Sequence, residues 1–308
     1  MIETNFTFKS KDGLEIFTYK WMPEEGVQPR AVIQIAHGMG ETARRYKEVG
    51  ERLTNAGYIV YADDHRGHGQ TAKEIDKLGE MGDDSFNLMV DDMYQLTQII
   101  KKENSELPVF LLGHSMGSFL TQRYICLHGK ELRGVILSGS NGSQGIIANI
   151  GSFIANREVK KIGRNSKSAK MAEMTFGGFN KGFAPCRTDF DWLTRDEKEV
   201  DKYIEDPSCG FGYTAGFYCD LLQGLKLIAR KEEINKVPKE LPIFIFSGDK
   251  DPVGGMGKGV LKLINAYKKA GIKSVEYKLY KDGRHEMFNE INRDEVIENL
   301  ILWLETHI

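Results

Sequence analysis

Six short β-rich apolar runs recur along the chain, most of them nearly continuous: AVIQIAH (31–37), YIVYADD (58–64), PVFLLGH (108–114), GVILSGS (134–140), LPIFIFSG (241–248) and SVEYKLY (274–280). Runs of this length, rich in Val, Ile, Leu and aromatics, predict strands buried on both faces. Between them the apolar period becomes helical. In 85–103, Met89, Met93, Leu96 and Ile100 form one stripe at i, i+4, i+7 and i+11. A last helix is predicted over about 293–307, where Val296, Leu300 and Trp303 stack and Asn292 with Glu295 reads as a capping box. Two alternating runs, NFTFKS and LEIFTYKW, open the chain on either side of KDG and predict an antiparallel hairpin. Strands alternating with helices predict an α/β fold, with a mostly parallel eight-stranded sheet and helices on both faces.

One interval breaks the rhythm. From 141 to 240 there is no buried strand, only glycines, aromatics and helical patches. That is too long for a loop. It predicts a helical lid inserted after the sixth strand, on the carboxyl edge of the sheet, with 1–140 and 241–308 as the core. At 308 residues the chain can bury a substantial core, and 41% apolar with 28% charged residues is ordinary for a globular protein. The net charge of −2 offers nothing to nucleic acid. The four cysteines are scattered, without the short pairs of zinc sites, and read as reduced thiols. MIETNFTFKSKDG has no basic start or apolar core, and no stretch approaches the roughly 20 apolar residues of a membrane span. The expectation is a cytoplasmic protein; its oligomeric state is not readable.

The chemistry gathers at predicted strand ends. Ser115 follows PVFLLGH directly and opens the helical run MGSFLTQRYICL, the strand–turn–helix setting of a G-x-S-x-G nucleophile elbow. A serine on so tight a corner is expected to be strained, and Gly113 and Gly117 remove side chains that would clash there. The amide of Met116, at the helix start, suits an oxyanion. The blander reading is a serine N-cap followed by a packing glycine. A nucleophilic serine needs a base and an orienting acid. His285 follows SVEYKLY, the last strand. Asp249 and Asp251 both follow LPIFIFSG. The acid must reach round to the far imidazole nitrogen, which favours Asp251, deeper in the loop, with Asp249 as the alternative. The loop HGMGE (37–41) offers Met39 as second oxyanion donor, with Gly38 and Gly40 allowing a close turn and His37 as a brace.

Taken together, HGMGE, DDHRGHGQT, GHSMGS, GDKDPV and GRHEMFNE resemble α/β-hydrolases of the monoacylglycerol lipase and lysophospholipase group, which shares its family with serine aminopeptidases. The likeness covers essentially the whole chain, and the lid segment DWLTRDEKEVDKYIEDPSCGFGYT shares it. The resemblance implies a serine esterase with Ser115, Asp251 and His285 as triad and Met39 and Met116 as oxyanion donors. His114, with Gly113 and Gly117, belongs to the elbow motif. It further implies that Asp64, Arg66 and His68 hold the DHRGHG loop beneath the site. The implied substrate is a small-molecule ester or single-chain lipid, with no nucleic acid and at most peripheral membrane contact. The lid departs from the pattern in lacking a long hydrophobic helix, and its stretch 157–170 carries six basic residues against one acidic. No cofactor or metal is expected. DKDPVG lacks ligating side chains at Pro252 and Val253, GGMGKG lacks the spacing of a phosphate loop, and Arg66 stands between His65 and His68. Two rivals remain. An aminopeptidase would need acidic lid residues such as Asp189, Asp191 or Glu205 to hold an amine, and a non-catalytic binding homologue would usually have lost a triad member.

Overall fold

A computed structural model describes residues 1–143 and 145–308. The eight strands are β1 (Ile2–Lys9), β2 (Glu15–Met22), β3 (Ala31–Ala36), β4 (Tyr58–Asp63), β5 (Val109–His114), β6 (Gly134–Ser138), β7 (Ile243–Gly248) and β8 (Val275–Tyr280). They form one sheet in the order β1-β2-β4-β3-β5-β6-β7-β8. The opening hairpin pairs antiparallel from Ile2↔Met22 to Lys9↔Glu15, β2 is antiparallel to β4, and the remaining six strands are mutually parallel. Strands β3 to β7 are buried along their whole length, as their unbroken apolar runs require. β8, at an edge of the sheet and alternating in sequence, is only partly buried.

The helices are α1 (Lys47–Asn55), α2 (Gly69–Ala72), α3 (Ser85–Glu103), α4 (Met116–His128), α5 (Ile146–Ile162), α6 (Ala169–Phe176), α7 (Glu197–Glu205), α8 (Ala215–Ile228), α9 (Lys231–Ile234), α10 (Lys258–Lys269) and α11 (Arg293–Glu305). One face of the sheet packs on α3, α4, α8 and α10 through residues such as Met93, Leu120, Phe217 and Leu263. The other packs on α1 and α11 through Leu53, Leu300 and Trp303. The α3 stripe of Met89, Met93, Leu96 and Ile100 is wholly buried, contributing about 1.5–3 kcal/mol per side chain. Gln34, polar in mid-strand, is tolerated because its amide donates to Met93 O and its oxygen accepts from Thr97 Oγ1. The capping box expected at α11 does not form. Asn292 occupies the N-cap, but its oxygen is taken by Arg195 (3.1 Å) and its amide donates to the Glu295 carboxylate.

Helices α5 to α9 all lie between β6 and β7. The last part of this segment does not stand apart from the sheet, since Phe217, Leu221, Ile228 and Val237 belong to the same apolar cluster as β5 and β6. Among the described residues no helix is long and apolar enough to cross a membrane.

Candidate active site

Because six strands run parallel, the loops after β3, β5, β6, β7 and β8 emerge on one edge. β5 ends at His114 and α4 begins at Met116, so Ser115 alone makes the corner. Its φ of 50° and ψ of −117° lie where L residues are strained, at about 1–3 kcal/mol. A Cβ on Gly113 would lie 2.4 Å from Gly117 O, and one on Gly117 would lie 2.0 Å from Ala36 O. Only glycine lets α4 close on β3 and β5 at this point. Among the described residues the Ser115 hydroxyl makes no capping bond to α4.

Asp251 is fully buried in the loop after β7, and its Oδ1 meets His285 Nδ1 at 3.0 Å. Its carboxylate also accepts from Ser247 Oγ (2.7 Å) and Val253 N (2.8 Å). Burial works against ionising Asp251, but the His285 ring and these donors outweigh it and hold the carboxyl below its usual range. Burial likewise opposes charging His285, and here the Asp251 carboxylate prevails and raises the imidazole above the ordinary histidine value. With its Nδ1–H on Asp251, His285 has Nε2 free to accept a proton. Asp249 lies apart from this pair, where its Oδ1 accepts from Asp282 N (2.8 Å).

The loop after β3 lies against Ser115, for a Cβ on Gly38 would stand 3.2 Å from Ser115 Cβ. His37 donates from Nδ1 to Gly38 O (2.7 Å) and accepts His65 N at Nε2 (3.0 Å). Both bonds suit a neutral ring, and burial, with His65 and His68 nearby, pushes its pKa well down. Gly38 N donates to Glu41 Oε1 (2.5 Å), and Gly40 N donates to the Tyr213 hydroxyl. Between these engaged amides the Met39 N–H finds no acceptor among the described residues. Met116 is the first residue of α4, so its N–H has no carbonyl within the helix.

The loop after β4 underlies this one. Asp64 accepts Ala43 N and Gln70 N, each at 2.8 Å, and burial pushes its carboxyl up to about 6. Arg66 binds Asp92, Asp12 and Ser10. His68 donates from Nδ1 to Arg66 O (3.0 Å) and accepts the Tyr213 hydroxyl at Nε2 (2.8 Å); burial, with His65 beside it, lowers its pKa to about 3. His114 lies beside Ser138 Oγ (3.2 Å) with its ring 4.8 Å from that of His285; burial and His285 keep it neutral, its pKa down to about 3.

Several residues of the site were given no role by the sequence. Arg45 grips Glu286 with two bonds (2.6 and 2.7 Å) and Glu41 with a third (2.8 Å), tying the loop after β3 to the loop of His285. Burial disfavours the Glu286 carboxylate, yet Arg45 beside it brings its pKa down to about 2. Trp192 sets its ring 5.2 Å from that of His285, and the carbonyls of Trp192 and Leu193 accept His285 N and Glu286 N. The i, i+4 spacing of Glu41 and Arg45 was the one visible hint. Ser115 and His285 open into a cavity of about 1250 Å³, also lined by Met39 and Met116 and walled by apolar side chains such as Met171, Phe176, Phe211 and Leu221. An exposed-side serine, a base oriented by a buried acid, unengaged amides and an apolar chamber are together suited to acyl transfer on a hydrophobic ester or amide.

Residues 27–292 match the family model described as Hydrolase_4, serine aminopeptidase S33. The chain is 27% identical over 307 residues to a monoacylglycerol lipase of Mycolicibacterium smegmatis, covering 98% of this chain and 97% of that one. It is 28% identical over 301 residues to a monoglyceride lipase of Rattus norvegicus, covering 96% and 89%. Among solved structures, a thermostable carboxyl esterase from Bacillus coagulans, in complex with glycerol, superposes with a TM-score of 0.92 at 30% identity over 100% of this chain and 99% of that one.

Proposed function

The chain belongs to the Hydrolase_4 (serine aminopeptidase S33) family of α/β-hydrolases, and on that premise we propose that it is a carboxylic ester hydrolase working through an acyl-enzyme on Ser115. Single-chain glycerol esters, of the kind named for its relatives, are the proposed substrates. His285 Nε2 takes the Ser115 proton as Oγ attacks the carbonyl. The tetrahedral oxyanion sits on the amides of Met39 and Met116. His285 then protonates the departing alcohol, and water deacylates the serine by the same base. Asp251 fixes the imidazole tautomer and stabilises its charged form. Residues 1–140 and 241–308 serve as the catalytic core and 141–240 as the lid over the acyl chain.

The observation that carries this reading is the 3.0 Å contact of His285 with a buried carboxylate, at the rim of the cavity that also receives Ser115. A second support is the unengaged Met39 amide held between two fixed neighbours. For the aminopeptidase alternative, Glu41 and Glu286 are bound by Arg45 and Asp191 is used by Thr188, which leaves Asp189 on the cavity wall as the acid that could hold an amine. The test is p-nitrophenyl ester hydrolysis from acetate to laurate, with Ser115→Ala and a fluorophosphonate label. Turnover rising toward longer chains, lost in a folded Ser115→Ala, is expected. Substantial ester hydrolysis by that variant would sink the assignment. Labelling with cleavage of amino-acyl anilides alone would move it to the aminopeptidase reading, and no labelling would move it to a binding protein.

A further inference from the structure

A second cavity, of about 610 Å³, lies between α8 and α10 and adjoins the first; Asn141, Leu225 and Lys262 line both. It sits behind the loop that carries Asp251, for Asn141 Nδ2 donates to Val253 O at 2.6 Å. Its charge is one-sided. Lys226, Arg230 and Lys262 line it, and among the described residues no Asp or Glu does. Lys258, one turn before Lys262 on α10, adds a fourth cation to the same end of the main cavity.

Nearby cations are neutralised: Arg123 and Lys236 both hold Glu233, and Arg164 holds Asp220. Lys226, Arg230, Lys258 and Lys262 form no ion pair among the described residues. Lys226 and Arg230 also border a separate cleft containing Asp84 and Asp220; Asp220 is taken by Arg164 and Ser85, while Asp84 accepts from the neutral Asn87 amide and keeps its charge on that side. In a chain of net charge −2, three cations without an ion-pair partner around one recess, with Lys258 nearby on the main cavity, are a local arrangement. The remaining walls mix apolar Ile228, Leu263 and Ala266 with the neutral polar side chains of Gln122, Asn141, Ser143 and Asn149, so the cations are what sets an anion apart from a neutral head group there. Guanidinium and ammonium groups in a recess whose described lining holds no carboxylate fit a phosphate.

Building on the ester-hydrolase reading, we propose that this second cavity is an anion subsite for a phosphate carried on the leaving alcohol. The protein then takes acidic single-chain lysophospholipids in preference to neutral monoacylglycerols. The acyl chain lies in the apolar chamber. The phosphate sits in the second cavity, reached past Asn141, Leu225 and Lys262, which line both spaces.

The test compares kcat/KM for octanoyl lysophosphatidic acid, 1-octanoylglycerol and p-nitrophenyl octanoate, in wild type and in Lys226→Gln/Arg230→Gln. Wild type is expected to prefer the acidic lipid by about tenfold or more at low salt, with the preference shrinking as salt rises. The double variant is expected to lose about tenfold on the acidic lipid and far less on the neutral ester, and Lys226→Arg/Arg230→Lys to recover it. Equal losses on both lipids, or no acidic preference in wild type, would overturn the subsite. Inhibition by glycerol 3-phosphate without any acidic-lipid preference would show a site for free phosphate compounds and overturn the substrate assignment. Absence of p-nitrophenyl octanoate hydrolysis in wild type would instead overturn the ester-hydrolase reading.

Discussion

Replacing Tyr213 by phenylalanine removes one oxygen atom from a buried junction where three segments meet. The Tyr213 side chain, 1% exposed, belongs to the segment between β6 and β7. Its hydroxyl donates to His68 Nε2, whose tautomer is set by the Nδ1–H bond to Arg66 O, and accepts the Gly40 N–H with its remaining lone pairs. No other arrangement of protons satisfies all three groups. Without the hydroxyl, Gly40 N–H and His68 Nε2 are both left unpaired in a site closed to water. Each orphaned group costs about 1–3 kcal/mol, so the loss is about 2–4 kcal/mol after partial relaxation. Tyr218, next to Phe217 in α8, supplies the control. Its hydroxyl is buried and has no partner among the described residues. Tyr218→Phe therefore removes an unsatisfied group and is expected to be neutral or stabilising by about 1 kcal/mol. Urea unfolding measures both, as a shift in midpoint at unchanged slope. Because Gly40 adjoins Met39, Tyr213→Phe is also expected to lower kcat about tenfold with a smaller change in KM. Equal midpoint shifts in the two variants would refute the reasoning.

Two further outcomes follow from the same site. Ser115→Gly removes the nucleophile and also relieves the positive-φ strain. The relief of about 1–3 kcal/mol, less about 0.5–1 for the added chain entropy of glycine, leaves an inactive protein more stable in urea by about 0.5–2 kcal/mol; a less stable variant would show that the corner is unstrained. His285 must be neutral to take the serine proton, so kcat/KM falls as pH drops through its pKa, which Asp251 holds above the usual 6.5. Asp251→Asn removes that carboxylate, so the acid limb is expected to move to lower pH while kcat falls about 10³–10⁴-fold; an unmoved limb would mean that another group titrates.

The strands, the order in which they carry Ser115, Asp251 and His285, and the elbow at Ser115 were legible in the linear chain. A strand buried on both faces must be apolar throughout, and a corner one residue long must have glycine on both sides. These are local demands, and they leave local marks such as AVIQIA and GHSMG. The hairpin was legible for the same reason. The cap at Asn292 was misleading because its oxygen is claimed by Arg195, 97 positions away. Asp251 was already favoured over Asp249 by its place deeper in the loop, and the tertiary structure adds the contacts, turning one toward His285 and the other toward Asp282. Arg45 joining Glu41 to Glu286, and Tyr213 joining Gly40 to His68, lay beyond reading, since their partners stand as many as 241 residues apart. The one-sided charge of the second cavity was equally hidden, for α8 and α10 bring their cations together only when both pack on the same face of the sheet. Backbone conformation and burial are set by neighbours along the chain and by periodicity. Which polar groups satisfy one another in a dry interior is set by the packing of distant segments, and that only the folded molecule decides.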